Sequence, residues 1–209
     1  MSHKLFRKLG ASAFLVCSTV WSAPASPELT PAHSDKLVAF FDDKPLDLVS
    51  PDGRYRLISK TDRGGRVTLF AARVSETGAN RREVIGRFDP PTSVLWSPKS
   101  DAFILNDQRG SGQTSYLEII RLEHGRFRRD FAARRNASSF FARRFRCHLP
   151  EDGIITSGEA WLDAQTVIVS VQAELHSGGC PLDPFASKEL RLLVDARTGH
   201  VQRLLSVRS

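Results

Sequence analysis

The chain has 209 residues, with 30 Lys and Arg against 23 Asp and Glu and a formal net charge of +7. That length suits one domain with a real core. Beyond the N-terminal region no apolar run is long enough to cross a bilayer, so no stable membrane span is expected.

Residues 1–8 read MSHKLFRK, with Lys4, Arg7 and Lys8 and no acid, and the apolar stretch from Leu9 to Trp21 follows directly. A basic start followed by a short apolar run is the pattern of a secretory signal peptide, expected here over residues 1–25. Cleavage after Ala25 makes Ser26 the first mature residue, because a cut after Ala23 leaves Pro24 at the new terminus. The apolar run falls short of the roughly 20 residues that a membrane anchor needs. Val16 ahead of Cys17 is too large for a lipid-attachment signal, so Cys17 belongs to the discarded segment. A periplasmic or secreted location follows, which disfavours a nucleic-acid partner. Removing Lys4, Arg7 and Lys8 lowers the charge from +7 to +4. Residues 26–34, SPELTPAHS, hold two prolines and no apolar period, and read as a flexible leader ahead of a single β domain over 35–209.

Two segments of that domain align, VSPDGRYRLISKTDRGGRVTLFAAR at 49–73 and WSPKSDAFILNDQRGSGQTSYLEIIRL at 96–122. Each contains a Ser-Pro turn, an apolar strand, a polar turn with Arg-Gly and a second apolar strand. Proline presets φ for the turn, Gly53 is free to take positive φ, and alternation through Tyr55, Leu57 and Ser59 marks a half-buried strand. A more eroded third copy runs from Trp161 through KELRLLVDARTGHVQRLLSV, with its last turn at Asp195 to Gly199. Trp161 matches Trp96, so both tryptophans are expected in equivalent buried places at the ends of the first strands of their units. The units fall near 46–88, 92–131 and 157–207. The fold class is therefore all-β, with about three four-stranded antiparallel units and one short helix.

SPDGRY and WSPKSDAFILNDQRG resemble the repeat of TolB and prolyl-oligopeptidase type β-propellers. The pattern departs at Lys99-Ser100, where Asp-Gly is missing, and at Leu162-Asp163-Ala164, where Ser-Pro-Asp is replaced. The resemblance implies propeller-like blades used for protein binding. Propellers need four to eight blades, so three units imply an open or partial propeller, or packed antiparallel sheets. A fourth unit would have to be assembled from the short segment 35–48 and a terminal strand. In the prolyl-oligopeptidase group catalysis belongs to a separate hydrolase domain, for which this chain has no room.

Between the second and third units lies a basic insertion, 126–148, in which Arg126, Arg128, Arg129, Arg134, Arg135, Arg143, Arg144 and Arg146 face one acid, Asp130. Phe127 and Phe131, and Phe141 and Phe145, are four apart, which predicts a short helix near 129–145. These arginines form a candidate patch for an anionic partner. The simpler reading, preferred on sequence, buries the phenylalanines and leaves the arginines solvated.

The mature chain keeps Cys147 and Cys180, and export predicts a disulfide between them. A metal site is the alternative, since His148 adjoins Cys147 and His176 precedes Cys180 by four; no recognised zinc spacing supports it. No nucleophile elbow, phosphate loop or metalloprotease helix occurs, so no cofactor, metal or catalytic residue is assigned. Asp101, Asp107, Glu118 and Asp163 are the carboxylates that a glycoside hydrolase site would draw on, but acids in repeat turns also serve as turn caps. The expected function is non-enzymatic binding of an envelope or secreted protein partner. An inhibitor or immunity protein against a toxin or cell-wall enzyme, and an envelope hydrolase with an unrecognised site, are the alternatives.

Overall fold

The computed structural model describes residues 36–41, 44–75, 82–108, 115–146, 148, 153–173 and 188–208. The signal segment, the leader, Cys147 and Cys180 lie outside the described residues.

Among the described residues the protein is all-β with one helix, in three antiparallel sheets. The first sheet is a meander of β2 (Asp47–Val49), β3 (Tyr55–Thr61), β4 (Val67–Arg73) and β5 (Arg82–Phe88). The second runs through β6 (Thr92–Trp96), β7 (Ala102–Asp107), β8 (Tyr116–Glu123) and β9 (Arg126–Asp130). The third comprises β10 (Ile154–Trp161), β11 (Thr166–Ala173), β12 (Glu189–Asp195) and β13 (Val201–Arg208). Four-stranded antiparallel units are what the fold class expected; the third begins at Ile154. Residues 35–48 do not begin a fourth unit. Their strand β1 (Val38–Phe40) instead pairs antiparallel with β6 as a fifth strand of the second sheet, where Phe40 is fully buried beside Val94 and Trp96.

Alternation places each sheet. On β3 and β4, Leu57, Leu69 and Ala71 point one way and join Val94, Trp96, Phe103, Leu105 and Ile120 in the core between the first and second sheets. The opposite face of the second sheet, through Leu95, Ile104, Leu117 and Ile119, meets Val167, Val169, Val171, Leu190 and Leu192 of the third. The second sheet is the middle layer, which is why β6 reads as a continuous buried run rather than an alternating one.

The two Ser-Pro turns share one geometry. Ser50 N–H donates to Tyr55 O at 2.9 Å and Tyr55 N–H donates back to Ser50 Oγ at 3.0 Å. In the second turn, Ser97 N–H donates to Ala102 O at 2.8 Å and Ala102 N–H to Ser97 Oγ at 3.3 Å. Ser100 stands where Gly53 stands and also takes positive φ, 62° against 72°. The missing Asp of the second motif is replaced from two positions further on: Ser50 Oγ donates to Asp52, whereas Ser97 Oγ donates to Asp101. The third turn is one residue tighter, closed by Leu162 N–H on Thr166 O at 2.9 Å and by Asp163, which accepts from the amides of Gln165 and Thr166.

Asp52 gives this turn a pH dependence. Burial pushes its carboxyl pKa up, but the Arg54 amide, the Ser50 hydroxyl and the Arg54 guanidinium outweigh that and lower it to about 2. Its folded value lies below the unfolded value of about 3.9, so its contribution is complete above pH 4 and is lost as pH falls toward 2. The stability difference between wild type and Asp52→Asn, read from urea melts, is therefore expected to be constant above pH 4. It should shrink steadily below pH 4.

The helix α1 spans Ala132–Phe145, shorter at its start than the expected 129–145. Residues 126–130 are strand because His124 and Gly125, both at positive φ (51° and 78°), make a tight mirror-image hairpin turn that returns the chain along β8. Phe127 and Phe131 thus do not share a helical face. Phe127 instead fits edge-on against Tyr55 (5.4 Å between ring centres) and beside Phe103 and Trp96. Phe141 and Phe145 do meet on the helix, 4.8 Å apart, with Phe141 fully buried.

Candidate functional site

The hairpin turns that follow the first meander strands lie at one end of the stack, the first two joined to each other and the third unit tied to the second through its strand end. Asp52 N–H donates to Ser100 Oγ at 3.0 Å, linking the first turn to the second. Trp161 Nε1–H donates to Leu95 O at 3.2 Å, linking the third strand end to the second. The tryptophan expectation holds for position only. Both end the first strand of their meanders, but Trp96 is buried within the aromatic cluster whereas Trp161 is part-exposed at the mouth between sheets.

Two clefts open at this end. One of about 320 Å³ lies between the first and second sheets and is lined by Tyr55, Arg73, Glu83, Gly125 and Phe127. Its wall is stitched by Phe127 N–H, which donates to both Glu83 carboxylate oxygens at 3.1 and 3.0 Å. The other, about 470 Å³, lies between the second and third sheets and is lined by Asp101, Arg121, Glu123, Trp161, Gln165 and Arg197. Arg121 spans it: its guanidinium pairs with Asp130 at 2.6 Å and Glu123 at 3.3 Å and donates to the Arg197 carbonyl. Exposed apolar side chains adjoin lining residues of both clefts in sequence, Leu162 at 59% next to Trp161 and Val74 at 46% next to Arg73. An aromatic wall, paired charges and exposed apolar side chains on a fixed frame suit recognition of another molecule.

Three of the four candidate carboxylates have structural employment. Asp101 accepts from Ser97, Asp163 caps its turn, and Glu118 is buried under Arg129. The amide of Gln165, above all, holds the Asp163 carboxyl below the usual range. Asp195 is also lowered: burial opposes the shift, but bonds from Thr198 and Arg197 outweigh it. Among the described residues no group of three His, Cys, Asp or Glu is placed to hold a metal. No helix among them is long and apolar enough to cross a membrane.

The eight arginines of the basic segment are not one patch. Arg129 is committed to Glu118 through two bonds of 2.6 and 2.5 Å and lies 5.6 Å from the Phe88 ring. Arg134 stacks over Tyr116 and Phe131 at 5.5 and 5.4 Å. Arg126 and Arg128 are exposed on the edge strand β9, and Arg135, Arg143, Arg144 and Arg146 are exposed on α1 and at its C-cap. The arginine run identifies the helix surface, but only the alternation along β9 separates Arg128 from Arg129. No protein-family model matches the chain, and no curated protein matches it.

Proposed function

We propose that this chain is an exported, non-enzymatic protein of TolB-type repeats that binds a protein partner in the cell envelope with the turn end of its sheets. One observation carries this reading: the first two turns are bonded to each other, and the strand that leads into the third turn is bonded to the second unit, which gives one end of the sheets a composite surface. Preorganised loops lose little conformational freedom on binding, so more of the contact energy appears as affinity. The cleft carboxylates are held by serine hydroxyls, backbone amides and guanidinium groups, an arrangement that fixes shape rather than leaving an acid or base free for proton transfer.

Affinity capture from envelope extract with the mature protein tests the reading. A stoichiometric protein partner is expected with wild type and is expected to be lost with Leu162→Asp combined with Arg197→Glu. Retention of the same partner by a variant with unchanged circular dichroism and melting would overturn the assignment to the turn end.

A further inference from the structure

The outward surface of α1 has no carboxylate of its own. From Phe131 to Arg146 the chain contains no Asp or Glu, and Arg135, Arg143, Arg144 and Arg146 are exposed with no ion pair among the described residues. The sheets hold both kinds of arginine: Arg87, Arg126, Arg128 and Arg203 are exposed there, while others are paired. Arg54 pairs with Asp52, Arg56 with Asp47, Arg121 with Asp130, Arg129 with Glu118 and Arg191 with Glu159. Helix-end electrostatics accounts for part of this: Arg143 and Arg144 lie in the last turn, where a cation meets the negative end of the helix dipole. It does not account for Arg135, one turn from the start, where the same dipole disfavours a cation.

At about 100° per residue, Arg135, Arg143 and the C-cap Arg146 fall on the outward side of α1 over about three turns, roughly 16 Å, whereas Arg144 falls on the opposite side from Arg135. The helix that carries them is firmly seated. Ala133, Ala137 and Phe141 are buried against the third sheet, and Asn136 Nδ2–H donates to Gly199 O at 3.1 Å. Its start is fixed too, since the Asp130 carboxylate accepts from Ala132 N–H at 2.7 Å. A rigid row of planar forks matches carboxylates bidentately.

We propose that the outward face of α1 is a second interaction surface, separate from the turn end, for an acidic face of a protein. An acidic protein fits better than a lipid surface because the helix turns its aromatic residues inward. Phe141 is fully buried and Phe140 and Phe145 pack on the core, so no apolar side chain of the outward face is available for the acyl boundary.

Poly-L-glutamate serves as the carboxylate probe and vesicles of phosphatidylcholine with 30% phosphatidylglycerol as the lipid probe, both titrated with the full mature chain. The test variant is Arg135→Glu, Arg143→Glu and Arg146→Glu. A control variant, Lys60→Glu, Arg87→Glu and Arg203→Glu, makes the same change in net charge at exposed positions on the outer sheets. Poly-glutamate binding is expected to weaken at least tenfold in the helix variant and less than threefold in the control, with a shallower salt dependence only in the former. Equal losses in both variants would reduce the effect to net charge and overturn the proposal. Vesicle binding that depends on the helix arginines, without matching poly-glutamate binding, would overturn it in favour of a lipid surface. Neither readout involves Leu162 or Arg197, so failure here leaves the turn-end reading untouched.

Discussion

Replacing Arg129 by alanine is expected to cost about 1 to 2 kcal/mol of folding free energy, the largest single effect among the eight arginines of the basic segment: the carboxylate it covers is buried, but its own side chain is 38% exposed and water screens part of the pair. Glu118 sits on β8 between the first and second sheets with 4% of its side chain exposed, and Arg129 closes over it from β9 with two charge-assisted bonds. The Glu118 bond raises the Arg129 pKa further above its already high ordinary value, against the opposing effect of burial, so the guanidinium stays charged at any working pH. Its removal strands a carboxylate in the core, a more expensive state than having neither charge. The double variant Arg129→Ala, Glu118→Gln should therefore be more stable than Arg129→Ala alone, and urea melts of the two would show it. An Arg129→Ala protein within about 0.5 kcal/mol of wild type would mean that water reaches Glu118 freely. Arg128→Ala, one residue away on the solvent face, should change stability by less than about 0.5 kcal/mol.

Asn106→Ala should cost about 2 to 4 kcal/mol for a related reason. Asn106 lies buried on β7 and its side-chain amide pairs with the backbone of Gly158 on the next sheet. Nδ2–H donates to Gly158 O and Gly158 N–H donates to Oδ1, each at 2.9 Å. The strand bulges between Gly158 and Ala160, and the asparagine substitutes for the neighbouring peptide there. Only glycine allows this approach, because a β-carbon at 158 would fall 2.7 Å from Ile104 Cγ2. Alanine at 106 leaves a buried donor and a buried acceptor unpaired at the junction of the second and third sheets. Hydrogen exchange should then show protection lost first along β10. Ser93→Ala, which removes only a 3.4 Å contact to the same amide, is the matched control and should cost under 1 kcal/mol. Equal effects from the two substitutions would show that the Asn106–Gly158 pair contributes nothing of its own.

The turns and the units were legible because their chemistry is local. Ser-Pro-Asp-Gly specifies its own hydrogen bonds, and strand alternation over Tyr55 to Ser59 states which side is buried without reference to any distant residue. The eroded second motif was readable too, although the carboxylate that completes it moved from the Asp52-equivalent place to Asp101. The phenylalanine spacing misled at its first pair, since a four-residue interval fits a helix and also occurs by chance across a strand and its exit. His124-Gly125 was the available signal for the hairpin, weaker than Asn-Gly or Asp-Gly, the pairs that most strongly mark this turn.

By itself the sequence determined the all-β class, the number of four-stranded units and the place of the helix between the second and third of them. Those follow from period, turn residues and charge, all properties of neighbours along the chain. Only the tertiary structure decided that β1 joins the second sheet, that Asn106 meets Gly158, and which arginines are consumed and which are free. The β1–β6 pairing, the Asn106–Gly158 bonds and the Arg129–Glu118 pair join residues 11 to 56 positions apart, where the partner is chosen by the face on which a sheet buries its apolar side chains.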